Sequence, residues 1–146
     1  MSRAPRQVSA GPPAKGRVYV ARAVYNFAKD GGAISAIVSP VVIPARAVII
    51  GGFVSVITTC VTAGADAGTM AISVEGANDI VAAIAVSNAA NPWDAGRQPI
   101  VPKRNTPETT SVKTTVARRV TFTIAVQAFT AGKFVVYLEY VLDPAV

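Results

Sequence analysis

The chain has 146 residues, 51% of them hydrophobic, and a formal net charge of +6 from 14 basic and eight acidic side chains. That length suits one domain with a real core rather than two, and the absence of histidine removes His-based triads, the commonest general base and the commonest metal ligand. The single cysteine, Cys60, excludes an internal disulfide or a cysteine metal cluster within one chain and, set in an apolar segment, reads as a buried structural thiol.

Residues 1–16 hold Pro5, Gly11, Pro12, Pro13 and Gly16 with few large apolar groups, too little to offset the entropy of ordering. They read as an extended arm: a solubilising tail, or a segment that orders against a neighbour. The sandwich is expected to occupy 17–146. No apolar run reaches the roughly 18 residues of a membrane span, and the basic, Pro-rich start lacks the apolar stretch of an export signal, so a soluble, non-membrane protein is expected.

Arg17 to Lys29 alternates, with Tyr19, Ala21, Ala23, Tyr25 and Phe27 on one face and Val18, Val20, Arg22, Val24 and Asn26 on the other, a first strand with a mixed outer face. Asp30-Gly31-Gly32 makes a turn, and Ile34 to Val38 a shorter strand. Pro40 and Pro44 bracket Val41 to Ile43, an edge strand or extended loop. Ala47 to Val61 is strand throughout, and Gly51-Gly52 marks a bulge or bend within it. After a loop over 62–69, Met70, Ile72 and Val74 face inward from a further strand closed by Gly76 to Asp79. Ile80 to Val86 fits a short helix or a strand; the pattern favours an irregular or one-turn helical connection. Asn91 to Gly96 is a turn cluster carrying the one tryptophan, Trp93, which either packs over the end of the sandwich or anchors an interface. Arg97 to Val112 is polar and basic with three prolines, a long loop or meandering edge.

The strongest pattern runs from Arg118 to Val141. Val120, Phe122, Ile124 and Val126 share one strand face, and Phe134, Val136, Leu138 and Tyr140 share another. Val135, Tyr137 and Val141 make the second segment apolar on both sides, so it should be central or doubly covered. The connection Gln127 to Gly132 is short enough for a hairpin whose glycine supplies a positive φ. The repeated strand-turn spacing implies an all-β fold, an antiparallel two-sheet sandwich of jelly-roll or Greek-key type with seven or eight strands.

Charge is unevenly placed. Residues 1–22 carry five basic groups and no acid, and residues 97–119 carry six against Glu108, so each segment contributes +5, while the remainder, three basic groups against seven acids, contributes −4. Such asymmetry points to an electrostatic partner, nucleic acid or an acidic protein surface. Arg3, Arg6, Lys15 and Arg17 with Lys103, Arg104, Arg118 and Arg119 are the candidate partner contacts. Phosphate binding with Tyr19 or Tyr25 stacking on bases is the weaker reading, because those tyrosines sit in apolar alternation and the body is acidic. The carboxylates cluster in turns, where they serve backbone hydrogen bonding, and Asp66, Asp79 and Asp94 match no EF-hand spacing. No catalytic residue, metal or cofactor is expected.

Taken with the Asp30-Gly31-Gly32 turn, the segment 76–83, Pro92-Trp93 and Thr130-Ala131-Gly132-Lys133-Phe134, the chain resembles small virion proteins of tailed bacteriophages, in particular head decoration, or cement, proteins built on a β-sandwich. The resemblance covers most of residues 17–142. It implies a non-enzymatic homo-oligomer, often a trimer, that is made in the host cytoplasm and sits on the outer capsid, bridging major capsid proteins against internal DNA pressure. A head fibre or tail component of the same virion shares the pattern. Trp93, Val135, Tyr137 and Val141 are the candidate oligomer contacts.

Overall fold

The computed structural model describes residues 17–99 and 111–143, so the arm 1–16, including Arg3, Arg6 and Lys15, and Lys103 and Arg104 in the long loop lie outside the described residues. Strand β1 (Val18–Asn26) leads into a single helical turn, α1 (Phe27–Asp30). The strands that follow are β2 (Ala36–Ile43), β3 (Ala47–Thr62), β4 (Thr69–Ser73), β5 (Val81–Ala85), β6 (Gly96–Pro99), β7 (Val112–Lys113), β8 (Arg118–Ala125) and β9 (Phe129–Leu142). The turn α1 ends the alternation at Asn26, three residues before Lys29, because Asn26 caps it: its Oδ1 accepts from the Ala28 N–H at 3.1 Å, and Asp30 Oδ2 accepts from the Asn26 N–H at 2.8 Å.

Two antiparallel sheets form a sandwich. One, sheet A, has the order β1-β9-β3-β6, with β7 also on β3; the other, sheet B, has the order β2-β8-β4-β5. Phe53 of β3 pairs with Tyr137 on one side and Pro99 on the other, and Val48 pairs with Val141 and Lys113, so β6 and β7 share one edge of β3. Counted as one interrupted strand, they reduce the nine to eight, with sequence ranks 1-8-3-6 and 2-7-4-5 in the two sheets. That order is the double Greek key of a jelly roll.

Several expectations hold. β9 is central in its sheet and buries Phe134, Val136 and Leu138 completely. β3 runs unbroken, and its register shifts between Ile49 and Gly51, where the Gly-Gly pair was expected to bulge. Met70, Ile72 and Val74 face the core. Cys60 is buried, and burial, with the Asp94 charge adding, pushes its thiol up to about 12, so it stays protonated and inert.

Other expectations are corrected. β8 and β9 do not form a hairpin: they lie in different sheets, and residues 126–128 carry the chain across the sandwich edge. Both strands alternate because both bury a face in the same core, from opposite sides. The corner turns at Val126, which takes a φ of 71° and is 65% exposed instead of continuing the buried row. Gly132 has its positive φ, 144°, inside β9, where a Cβ would sit 2.6 Å from Cys60 Sγ. The segment 80–86 is a strand rather than a helical turn, because β4 offers it a partner: Met70 pairs with Ile84 and Ile72 with Val81. The two pieces around Pro40 are one edge strand, β2, whose register against β8 breaks between Val38 and Val42. The basic loop ends in short strands at both sides of the undescribed stretch.

Aromatic rings fill the core. Tyr25, Phe122, Phe129, Phe134 and Trp93 form a connected cluster, with centroids 5.2 Å apart for Trp93–Phe134 and 5.3 Å for Tyr25–Phe134. Tyr25 donates its hydroxyl to the Gly31 carbonyl at 2.8 Å, and burial raises its pKa well above the usual value.

Candidate interaction surface

The two sheets present different outer faces. Because directly paired residues in an antiparallel ladder share a face, the register of β1, β9 and β3 sets the outside of sheet A residue by residue. Val18, Val141 and Val48 form one row, Arg22, Tyr137 and Phe53 another, and Val24, Val135 and Ser55 a third. Phe53 and Tyr137 stack at 4.6 Å with an interplanar angle of 25°. Val18, Val20, Ile50 and Ile57 are each about half exposed or more. The outside of sheet B is instead lined by Thr121, Thr123, Thr69 and Ser73, and the exposed large apolar side chains of its strands are Val38 and Val42 of the edge strand. The apolar face spans three adjacent strands, β1, β9 and β3, and is crossed by Arg22 and by the row Val20–Glu139–Gly51, whose Glu139 is exposed; an apolar surface of this extent is the mark of an interaction surface.

Of the oligomer candidates, Tyr137 and Val141 lie on this face and are partly exposed. Val135 lies there too but is only 4% exposed, so its neighbours on the same sheet already cover most of it. Trp93 is corrected: it is 0% exposed and packs on Phe134, with Nε1 donating to the Ile84 carbonyl at 3.2 Å, so its ring belongs to the core and cannot anchor an interface. The residues missed by sequence reasoning are Val20, Ile50, Phe53 and Ile57. Their signal was an apolar second face on β1 and β3, the same sign that singled out β9.

The three basic candidates among the described residues, Arg17, Arg118 and Arg119, do not gather. Arg17 is exposed just before β1, and Arg119 is exposed on sheet B opposite Val42. Arg118 is already occupied: Nε donates to Glu75 Oε1 at 2.9 Å and Nη2 to Oε2 at 3.3 Å. Thr115 donates to the same carboxylate from its backbone N–H at 3.2 Å and its hydroxyl at 2.8 Å. This two-pronged pair ties the start of β8 to the turn after β4.

The Glu75 pair sets a pH dependence. The Arg118 hydrogen bonds hold the Glu75 carboxyl down at about 2, Thr115 adding to them and burial opposing them. A carboxyl whose folded pKa is depressed stabilises the fold fully above its unfolded value of about 4.3, and that contribution is lost as pH falls through about 2. Glu75→Gln is therefore expected to lower the melting temperature at neutral pH, and the gap from the parent chain should close as pH drops from about 4 toward 2. A gap that stayed constant over that window would show that the charge is irrelevant.

No protein family is matched by this chain, and no curated protein matches it. Its fold is shared by chains in solved structures. One, from the cyanophage Pam1 capsid asymmetric unit, superposes with a TM-score of 0.66 at 18% identity, covering 95% of this chain and 94% of that one. Another, from the capsid of Ralstonia phage GP4, gives 0.58 at 17% identity over 95% and 93%. A third, from the acidic stable capsid structure of Helicobacter pylori bacteriophage KHP30, gives 0.57 at 13% identity over 88% and 90%. At these identities the likeness is one of fold, over nearly the whole length of each chain.

Proposed function

We propose that this chain is a structural, non-enzymatic virion protein of a bacteriophage, a decoration protein that binds the outer surface of the head and bridges neighbouring major capsid proteins. The observation that carries the reading is the apolar outer face of sheet A, on a jelly roll whose full-length structural counterparts come from phage capsids. A protein that works alone in water has no use for Val20 and Ile57 displayed beside a Phe53–Tyr137 stack, whereas a capsid-bound protein buries such a face. A bridging protein needs surface and stability rather than a reacting group, in keeping with a chain that has no histidine. The reading includes a homo-oligomer, with three copies the arrangement carried by the resemblance to decoration proteins.

The test uses particles of the phage that encodes the chain, produced without it and then mixed with the purified protein. Co-sedimentation with heads and electron cryomicroscopy should show saturable binding and added density on the outer shell, in clusters of three. Density on the tail or a fibre would replace the decoration role with one elsewhere in the virion. Binding to released DNA and not to intact heads would overturn the structural reading altogether.

A further inference from the structure

At the α1 end of sheet A the apolar face deepens into a groove of about 400 Å³. Its apolar lining includes Val24, Val135 and Ile57, from three adjacent strands. Arg22, Lys29 and Lys133 also line it, from β1, α1 and β9. One acid, Asp30, is present, and its Oδ2 already accepts the Asn26 N–H. The two ion pairs found among the described residues, Lys113–Asp143 and Arg118–Glu75, use none of these three cations. Three cations around an aliphatic floor, against one engaged carboxylate, leave the site short of negative charge.

We infer that this groove is a docking site for an extended acidic segment of a partner protein, one that places aliphatic side chains on Val24 and Ile57, over the nearly buried Val135, and carboxylates against Arg22, Lys29 and Lys133. Two features select this occupant. The floor crosses the sheet over three strands, which suits a chain laid down with alternate residues inward, as an extended peptide presents them. The cations stand around that floor, so a bound segment needs apolar and acidic residues in alternation; a nucleic acid satisfies the charge but leaves the aliphatic floor uncovered. The inference rests on the virion reading only for the origin of the segment, a neighbouring capsid-forming protein, and its test is run without particles.

The probe is a fluorescein-labelled, end-blocked octapeptide alternating Asp or Glu with Leu or Val, followed by anisotropy against the full chain. Two control peptides replace the acids by Lys or the aliphatics by Ser. The acidic aliphatic peptide should bind at least about tenfold more tightly than either control, and its affinity should fall at roughly 0.3 M salt. The double variant Arg22→Glu/Lys133→Glu, both sites lying on the sheet surface, should lose the binding while Arg119→Glu, on the opposite sheet, keeps it. Ile57→Ser tests the floor separately and should weaken the peptide with charges intact. Equal binding of the Lys control, undiminished binding by the double variant, or full competition by a single-stranded oligonucleotide would overturn the inference. If peptide binding succeeds and particle binding fails, the groove stands and the decoration role falls; the reverse result retains the role and removes the groove.

Discussion

Trp93→Ala is expected to destabilise the fold by about 3–5 kcal/mol, the range for removing a buried aromatic side chain. The residue sits in the connection between β5 and β6, outside any strand, yet none of its surface is exposed. Its ring lies 5.2 Å from Phe134, which itself contacts Tyr25 and Phe122, so truncation opens a void beside the aromatic cluster. The loss is not only of packing. Nε1 satisfies the Ile84 carbonyl at 3.2 Å and is lost with the ring, whereas the backbone bonds of Trp93, to Asn91 Oδ1 at 2.7 Å and from the Cys60 N–H at 3.0 Å, are open to alanine as well. The side chain thus pins an irregular loop to both sheets. Against a typical total of about 5–15 kcal/mol, such a loss leaves the chain marginal. Urea unfolding followed by far-ultraviolet circular dichroism measures it, since the variant has no tryptophan fluorescence. Trp93→Phe, which keeps most of the ring volume but not the donor, should fall between parent and alanine variant. An unchanged midpoint for Trp93→Ala would mean that the ring is not part of the core.

The second large effect comes from neighbouring glycines that should behave differently. Gly52 takes a φ of 143°, and a Cβ there would lie 1.9 Å from the Tyr137 carbonyl oxygen, a backbone atom that moves only if β9 moves. Strain at such a φ costs about 1–3 kcal/mol, and the overlap adds to it, so Gly52→Ala is expected to lose about 3 kcal/mol or more. Gly51, beside it and directly after the register shift at Ile50, would place a Cβ 3.6 Å from Glu139 Oε1, an ordinary contact. Gly51→Ala should stay within about 0.5 kcal/mol of the parent. Paired denaturation curves decide the matter: equal effects at the two positions would show that the bulge does not impose the close approach to β9. Because β3 and β9 form the central pair of sheet A, the Gly52 variant should also disturb the apolar outer face that they carry.

Much of this architecture is legible in the residue order because burial on one side of a pleated strand demands alternation. Val120, Phe122 and Ile124, and Phe134, Val136 and Leu138, announce their strands for that reason, and Gly51-Gly52 announces an irregularity because a side chain at Gly52 would meet the backbone of β9. The composition, rich in Val, Ile and Ala, selects an all-β fold. The second apolar face of β9 likewise points to a covered or interactive surface.

Pairing partners and sites were decided only by tertiary structure. Alternation reports which face is buried but not which sheet a strand joins, so β8 and β9 read as a hairpin although they cover the core from opposite sides. Val81 to Ala85 is a strand because β4 presents it with a free edge, an influence absent from its own short apolar run. The outer face of sheet A needed the register of β1 and β3 against β9 before Val18, Val20, Phe53 and Ile57 could be joined to Tyr137 and Val141. Arg118 counts as a free cation in the sequence and is an engaged one in the fold, because Glu75, 43 residues earlier, is brought against it by the β4–β8 pairing. Local physics fixes what each segment buries; contact between segments distant in sequence decides what is left exposed, and that exposed remainder is the surface from which function is read.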